Sequence, residues 1–434
     1  MAILVMAGYI QLLTSGPQDV FFTINPDYTH FVEKFKRHSN FSRQDVDIEP
    51  ESKANFGTKV RFIIPKDHGD LIKTLSIKCT LPEIVNPGFT CYIESVGHAL
   101  IEYADLLIGG KLIQRITSDY LQIYSEHNVT QTKQKALEEL VGKYPLRTTD
   151  RRVSTTNLIT NNTLGLSSDE EFYIDLPFYF YNHPELAIPI CAMQNDDVEV
   201  ELKLRPVQDL VIGVNGTKAS LVEGLEIKEF QLATEIVFVD KYEKLLLEKR
   251  SRDYIITQLQ QDVFEVDKGV SDGKFKLEFT NPVKELYFII QRQGSVGTGE
   301  GEFVTPFDYD NTEQVIDDKY VLYENLDYLT LTFDGQDIIT RDTGNVAFLK
   351  ALQAAIHHSK TQLIRRFYSY SFALQPEEWY PTGQINMSLV KEQILNLSMT
   401  SCPQYARQIR VYAVSYNVLR VAEGKARTLF DSRY

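Results

Sequence analysis

The eight histidines (His30, His38, His68, His98, His127, His183, His357 and His358) have the widest chemical reach in this chain, because imidazole can act as a base, a proton shuttle or a metal ligand. An open metal site on a β-scaffold would use a close His-x-His pair with a downstream Glu and a further His. Neither H-x-H nor H-E-x-x-H spacing occurs, and the adjacent His357 and His358 point to different faces of a helix. All eight therefore read as surface or helix-end residues. The glycine-rich run GSVGTGEGE (294–302) lacks the Lys-Ser/Thr of a phosphate loop and carries repelling acids. It reads as a flexible loop. The acid pairs Asp196-Asp197 and Asp317-Asp318 are candidates for glycoside hydrolysis only if folding sets two carboxylates at a working separation, and solvated turns are their ordinary use. Cys79, Cys91, Cys191 and Cys402 show no C-x-x-C spacing, so reduced, buried thiols are expected rather than disulfides or a zinc site. Catalytic, cofactor-binding and metal-ligating residues are all expected to be none.

Charge points the same way. The 434 residues carry 45 Lys+Arg against 59 Asp+Glu, a formal charge of −14 with no basic tail, which disfavours an electrostatic grip on nucleic acid. Protein partners are expected instead, and the isolated pairs Arg151-Arg152 and Arg365-Arg366 suit salt bridges between subunits. The opening MAILVMAGYIQLL is apolar but lacks a basic flank, and Gln11 interrupts it long before the about 20 residues of a membrane span, so neither an export signal nor a transmembrane helix is read. The six N-x-S/T sequons, at Asn40, Asn128, Asn161, Asn215, Asn386 and Asn396, are then chance occurrences.

Strands must position whatever this chain does. Leu75, Ile77, Cys79 and Leu81 alternate with Thr74, Ser76, Lys78 and Thr80, and the period recurs at Val60/Phe62/Ile64, Phe172/Ile174/Leu176/Phe178 and Val198/Val200/Leu202/Leu204. It returns at Leu329/Leu331/Phe333, Ile385/Met387/Leu389 and Leu395/Leu397/Met399, while Ile409–Leu419 is apolar on both faces, as in a strand covered on both sides. Helices are few: Gln131–Val141 stopped at Gly142, one capped by Asp342 or Thr343 ahead of Val346, Leu349, Leu352 and Ile356, and one opened by Asp240 with Glu243. Many short strands with few helices mean a sandwich or barrel.

The two halves echo each other. YADLLIGGKLIQRITSDYLQIY (103–124) and YLTLTFDGQDIITRDTGNVAFL (328–349) both read strand, tight turn, strand, helix. The turns fall at Gly109-Gly110 and Asp334-Gly335, pairs that supply the positive φ of a two-residue hairpin. Similar strands precede the hairpins at 72–81 and 283–291, so two copies of one all-β unit are expected, with a seam near Gly213–Gly224. In FALQPEEWYPTGQ (372–384), Pro376 and Pro381 fix φ and Gly383 permits a turn, which makes a rigid crossing between strands. Trp379 and Tyr380 are candidate interface anchors, with core packing as the equal alternative, and Arg365 and Arg366 join them as candidates.

YSYSFALQPEEWYPTGQINMS (368–388) and IRVYAVSYNVLRVAEG (409–424) resemble the signature of the major capsid proteins of nucleocytoplasmic large DNA viruses. QLLTSGPQDVFFTINPDYTHFVEKFKRHSNFS (11–42), DLLIGGKLIQRITSDYLQIYSE (105–126) and IDLPFYFYNHPELAIPICAMQNDDVEVELKLR (174–205) are similar to the same family in the same order, so the resemblance spans nearly the whole chain. It implies an all-β double jelly roll, two tandem eight-stranded sandwiches with a few short helices, divided as an N-terminal arm (1–26), a first jelly roll (27–218) and a second (219–434). The implied function is structural: a homotrimer forming a pseudo-hexagonal capsomer that tiles an icosahedral virion shell, made and assembled in the host cytoplasm. Neighbouring capsomers and minor capsid proteins are the implied partners, together with an internal membrane as a further candidate to cover the arm, and no cofactor is implied. The chain departs from the family's pattern at AEGKARTLF (422–430), which puts the terminal contact in question, and the loops 127–171 and 292–324 are expected as outward insertions. A tandem β-sandwich carbohydrate-binding or spike module is the alternative.

Overall fold

The computed structural model describes residues 7–32, 35–84, 90–142, 170–213, 224–293, 306–307, 309, 314–316, 319–321, 324–359, 367–400 and 406–431. Arg151-Arg152, Asp317-Asp318, the run 294–302, Cys402 and the anchor candidates Arg365 and Arg366 lie outside the described residues, as do the middle of the expected seam and most of both long loops.

Among the described residues, sixteen strands form the main pairing paths of four antiparallel sheets. In chain order the first eight are β1 (Phe41–Ile48), β2 (Lys59–Ile64), β3 (Leu71–Leu81), β4 (Ile101–Ile108), β5 (Lys111–Thr117), β6 (Glu170–Asp175), β7 (Val198–Leu204) and β8 (Glu229–Val239). They pair as β1-β8-β3-β6 and β2-β7-β4-β5. The next eight are β9 (Arg252–Val266), β10 (Asp272–Leu277), β11 (Pro282–Arg292), β12 (Leu326–Phe333), β13 (Gln336–Ile339), β14 (Tyr368–Ser371), β15 (Gln393–Met399) and β16 (Arg407–Ala422). These pair as β9-β16-β11-β14 and β10-β15-β12-β13, which is the first order repeated strand for strand.

The alternation explains the layers. Leu75, Ile77, Cys79 and Leu81 are fully buried, as are Val60, Phe62, Val200, Leu202 and Leu204, because each set faces the space between two sheets. Their counterparts Leu329, Leu331, Leu395 and Leu397 build the core of the second sandwich. Burying a Val, Leu, Ile or Phe side chain contributes about 1.5–3 kcal/mol against exposure, so such an alternating run fixes strand register more firmly than hydrogen bonding does.

Three expectations need correction. The segment Glu229–Val239, expected in the second unit, is β8 and hydrogen-bonds to β1 and β3, so the first sandwich runs to Val239. A helix, Lys241–Lys249, follows it, with the Asp240 carboxylate accepting the Glu243 N–H at 2.9 Å. The run Ile385/Met387/Leu389 is a two-residue strand turning into a 3-10 helix, which leaves Leu389 exposed. The cap of the helix at 346–357 is Asn345, whose Oδ1 accepts the Phe348 N–H at 2.9 Å, rather than Asp342 or Thr343.

Residues Met1–Asn40 form a compact unit of their own. It holds two short helices, Ala7–Leu13 and Pro17–Thr23, the second opened by Pro17 and by the Asp19 carboxylate accepting the Gly16 N–H at 2.8 Å. Leu12, Leu13, Phe21 and Phe22 are exposed on it. Among the described residues no helix is long and apolar enough to cross a membrane.

Candidate functional site

The two sandwiches share a wall. Val414, Tyr412, Ile289 and Tyr287 project from β16 and β11 into the same apolar cluster as the first sandwich's core, while Val411, Ile409, Phe288 and Ile290 on the opposite face fill the second core. This is why 409–419 is apolar on both faces. The site that carries this protein's architecture is the seam.

Asp119 lies at its centre, on the helix Ser118–His127 that follows the first hairpin. Its carboxylate accepts from Arg410 Nε at 2.7 Å, Tyr412 Oη at 2.6 Å and Tyr309 Oη at 2.8 Å, all from the second half of the chain. Arg410 also donates to Gln291 Oε1 at 2.6 Å and Gln408 Oε1 at 2.9 Å. Burial would raise the Asp119 carboxyl, but the Arg410 charge and the donated hydrogen bonds outweigh it and hold the group below the ordinary carboxylate value. Gln258 Nε2 donates to the Ile113 carbonyl at 2.7 Å, and the Asp196 carboxylate accepts the Ala426 N–H at 2.8 Å, two further bonds between the halves of the chain.

A second polar cluster is built by the ends of two equivalent helices. His127 closes the helix after the first hairpin, and His358 follows the helix Gln353–His357 after the second. Their rings stack with centroids 3.9 Å apart; both residues stand at helix ends, one of the two placements expected, but both are buried rather than on the surface. His358 Nε2 meets Glu285 Oε1 at 2.6 Å and its Nδ1 lies 3.5 Å from Glu377 Oε1. Tyr287 donates to the other Glu285 oxygen at 2.7 Å. Burial would lower the His358 imidazole, but the Glu285 and Glu377 carboxylates hold it up at about 9. His127, Glu285 and His358 each bring one ligand-type atom within 4.8 Å of the others. Spacing rules missed the cluster because its members come from three elements; the echo between the halves was the available signal, since equivalent helices carry both histidines.

The remaining candidates fall at turns and on one crossing. Gly109 and Gly110 have φ of 57° and 73°, and Asp334 and Gly335 have 48° and 81°, in two-residue hairpins closed by Ile108↔Lys111 and Phe333↔Gln336. Gly383 has φ 141° and approaches the Phe372 carbonyl so closely that a Cβ would stand 2.8 Å from its oxygen. Lys284, its ammonium lowered to about 8 by burial, ties this crossing down by donating to the Pro376 carbonyl at 2.6 Å. Trp379 packs partly buried against the core of its own chain, edge to face with Tyr380, which is exposed. Cys79 and Cys191 are free thiols, and burial pushes them up to about 12 and about 11.

Two eight-stranded sandwiches of identical strand order, joined through a shared sheet wall and a buried ionic lock, define a double jelly roll. The comparisons with known proteins agree. Residues 29–242 match the family model described as the major capsid protein N-terminus, and residues 243–426 match that of the large eukaryotic DNA virus major capsid protein, meeting within the helix Lys241–Lys249 that follows β8. The major capsid protein of Pyramimonas orientalis virus is 29% identical over 426 residues, covering 96% of this chain and 97% of that one. Among solved structures, the PBCV-1 virus capsid matches with TM-score 0.75 at 20% identity over 93% of this chain and all of that one, and the Faustovirus major capsid protein with TM-score 0.72 at 12% identity. This chain belongs to the major capsid protein family of the nucleocytoplasmic large DNA viruses. It is a structural component of the virion capsid and not an enzyme, and it self-associates into the shell.

Proposed function

We propose that three copies associate into one capsomer of pseudo-hexagonal outline, with sandwiches at 41–239 and 252–428 as its repeated parts. The observation that carries this reading is the doubling of one strand order within a single chain, because three chains then present six near-equivalent sandwiches around an axis. The exposed apolar side chains Leu374, Tyr380 and Leu389, on or beside the 372–383 crossing, suit a contact between copies. The unit 1–40, with its exposed Leu12, Leu13, Phe21 and Phe22, suits attachment to neighbouring capsomers, minor capsid proteins or an internal membrane. Assembly takes place in the host cytoplasm. Size-exclusion chromatography with light scattering tests the central claim: a stable trimer at micromolar concentration in physiological salt is expected, and a monomer overturns it. Deleting residues 1–15 is expected to leave the trimer intact and weaken its incorporation into particles.

A further inference from the structure

We propose that His127, Glu285 and His358 form a binding site for one divalent transition-metal ion of the zinc class, which staples the two sandwiches together at the seam. The donor set is two imidazoles and one carboxylate, the nitrogen-and-oxygen set that holds zinc with a position left for water. The three groups come from the helix Ser118–His127 of the first sandwich, strand β11 of the second and the end of the helix Gln353–His357. An ion there bridges parts of the chain that are remote in sequence.

The surroundings match those of a built metal site. Metal-binding histidines are usually oriented by a carboxylate at the other ring nitrogen, and His358 Nδ1 faces Glu377 Oε1 at 3.5 Å while Nε2 faces Glu285 at 2.6 Å. Glu377 is itself held by the Ser359 N–H at 2.8 Å and by the Ser359 hydroxyl. Glu285 offers Oε1 to the site while Oε2 is engaged by the Tyr287 hydroxyl. Tyr287 and Phe367 pack against the His127 ring, with centroids 5.6 Å and 4.9 Å away, and provide the dry wall that strengthens ion binding. The ligand-type atoms lie within 4.8 Å of one another, against about 3.3 Å between the ligands of tetrahedral zinc, so a small turn of the stacked rings closes the site. The ion takes the place of the proton shared by His358 and Glu285, and that proton leaves to solvent.

The test uses the full-length protein, purified without a histidine tag and stripped with a chelator, with Zn²⁺ and Co²⁺ alone as probes. Equilibrium dialysis is expected to give one Zn²⁺ per chain, Co²⁺ to show the intense visible absorption of a four- or five-coordinate site, and zinc to raise the melting temperature. His127→Gln and, separately, Glu285→Gln are expected to lower metal affinity at least tenfold and to quench the cobalt spectrum. Should either variant fail to fold, the wild-type stoichiometry and spectrum decide alone. Binding well below one ion per chain, a purely octahedral cobalt spectrum, or a folded His127→Gln protein with unchanged affinity overturns the proposal. None of these readouts depends on trimer formation, so the site and the capsomer reading fail or stand separately.

Discussion

The eighth strand of each sandwich occupies the same place beside the first strand, yet the two differ in what covers them. In β8 burial alternates, with Phe230, Leu232, Thr234 and Ile236 inward and Gln231, Ala233 and Glu235 between them partly exposed. In β16 the run Val411–Asn417 is buried without interruption. Topology is therefore common to the halves, and the periodicity of a strand reports how many faces are covered rather than which fold it belongs to. The second sandwich supplies the shared wall. The cost of that arrangement is polar: β16 must cross the seam with Arg410 buried, and Asp119 from the other sandwich neutralises it.

The largest effect is expected where this asymmetry is removed. Asp119→Ala leaves Arg410 buried without its counter-charge and should lower the unfolding free energy by about 3–5 kcal/mol, read as a shift of the denaturant midpoint. A loss no greater than that of an ordinary surface substitution would show that the seam does not depend on this ion pair. Acid sharpens the point. Because the folded Asp119 pKa lies below its ordinary value, its contribution is fully present above pH about 4 and lost as pH falls through the depressed value. Asp119→Asn should therefore show a shallower acid limb than the wild type, with the two curves converging at low pH.

The hairpins give a smaller, internal comparison. At Gly110 a Cβ would meet nothing within 4 Å, so Gly110→Val tests backbone strain alone and should cost about 1–2 kcal/mol. At Gly109 a Cβ would stand 2.8 Å from Asp196 Cγ, and Asp196 also accepts the Ala426 N–H at the seam. Gly109→Ala should therefore cost more than Gly110→Ala in thermal melts. The reverse order would mean that Asp196 moves away freely and that the 196/426 contact carries little.

Much of this architecture was legible because its signals are local. Alternation marked β2, β3, β7, β12 and β15; Gly109-Gly110 and Asp334-Gly335 marked the hairpins, and the repeated order of strand, turn, strand and helix marked the doubling. The seam was not legible, since Asp119 and Arg410 are separated by 291 residues and either one alone reads as a surface charge. The boundary was misplaced for a related reason: β8 returns to its own sandwich after the long connection from β7, and only its pairing with β1 and β3 assigns it. The histidine cluster escaped motif spacing because the fold, through equivalent helix ends, brings its parts together.

The smallest effect comes from the same strand that should give the largest. Arg420 sits ten residues beyond Arg410 on β16 and makes a bidentate pair with Asp253 of β9, both bonds at 2.7 Å, a geometry as good as that at Asp119. The side chains of this outer pair remain 45% and 46% exposed, whereas those of Arg410 and Asp119 are 11% and 9% exposed. Water already solvates both outer charges, so forming the pair gains little, and breaking it strands nothing in a low-dielectric interior. Arg420→Ala should leave the denaturant midpoint unresolved from wild type, even in low salt, while Arg410→Ala unfolds the seam. If the two arginines cost the same, hydrogen-bond geometry rather than burial sets the strength of these pairs, and the account of the shared wall as the source of the asymmetry fails.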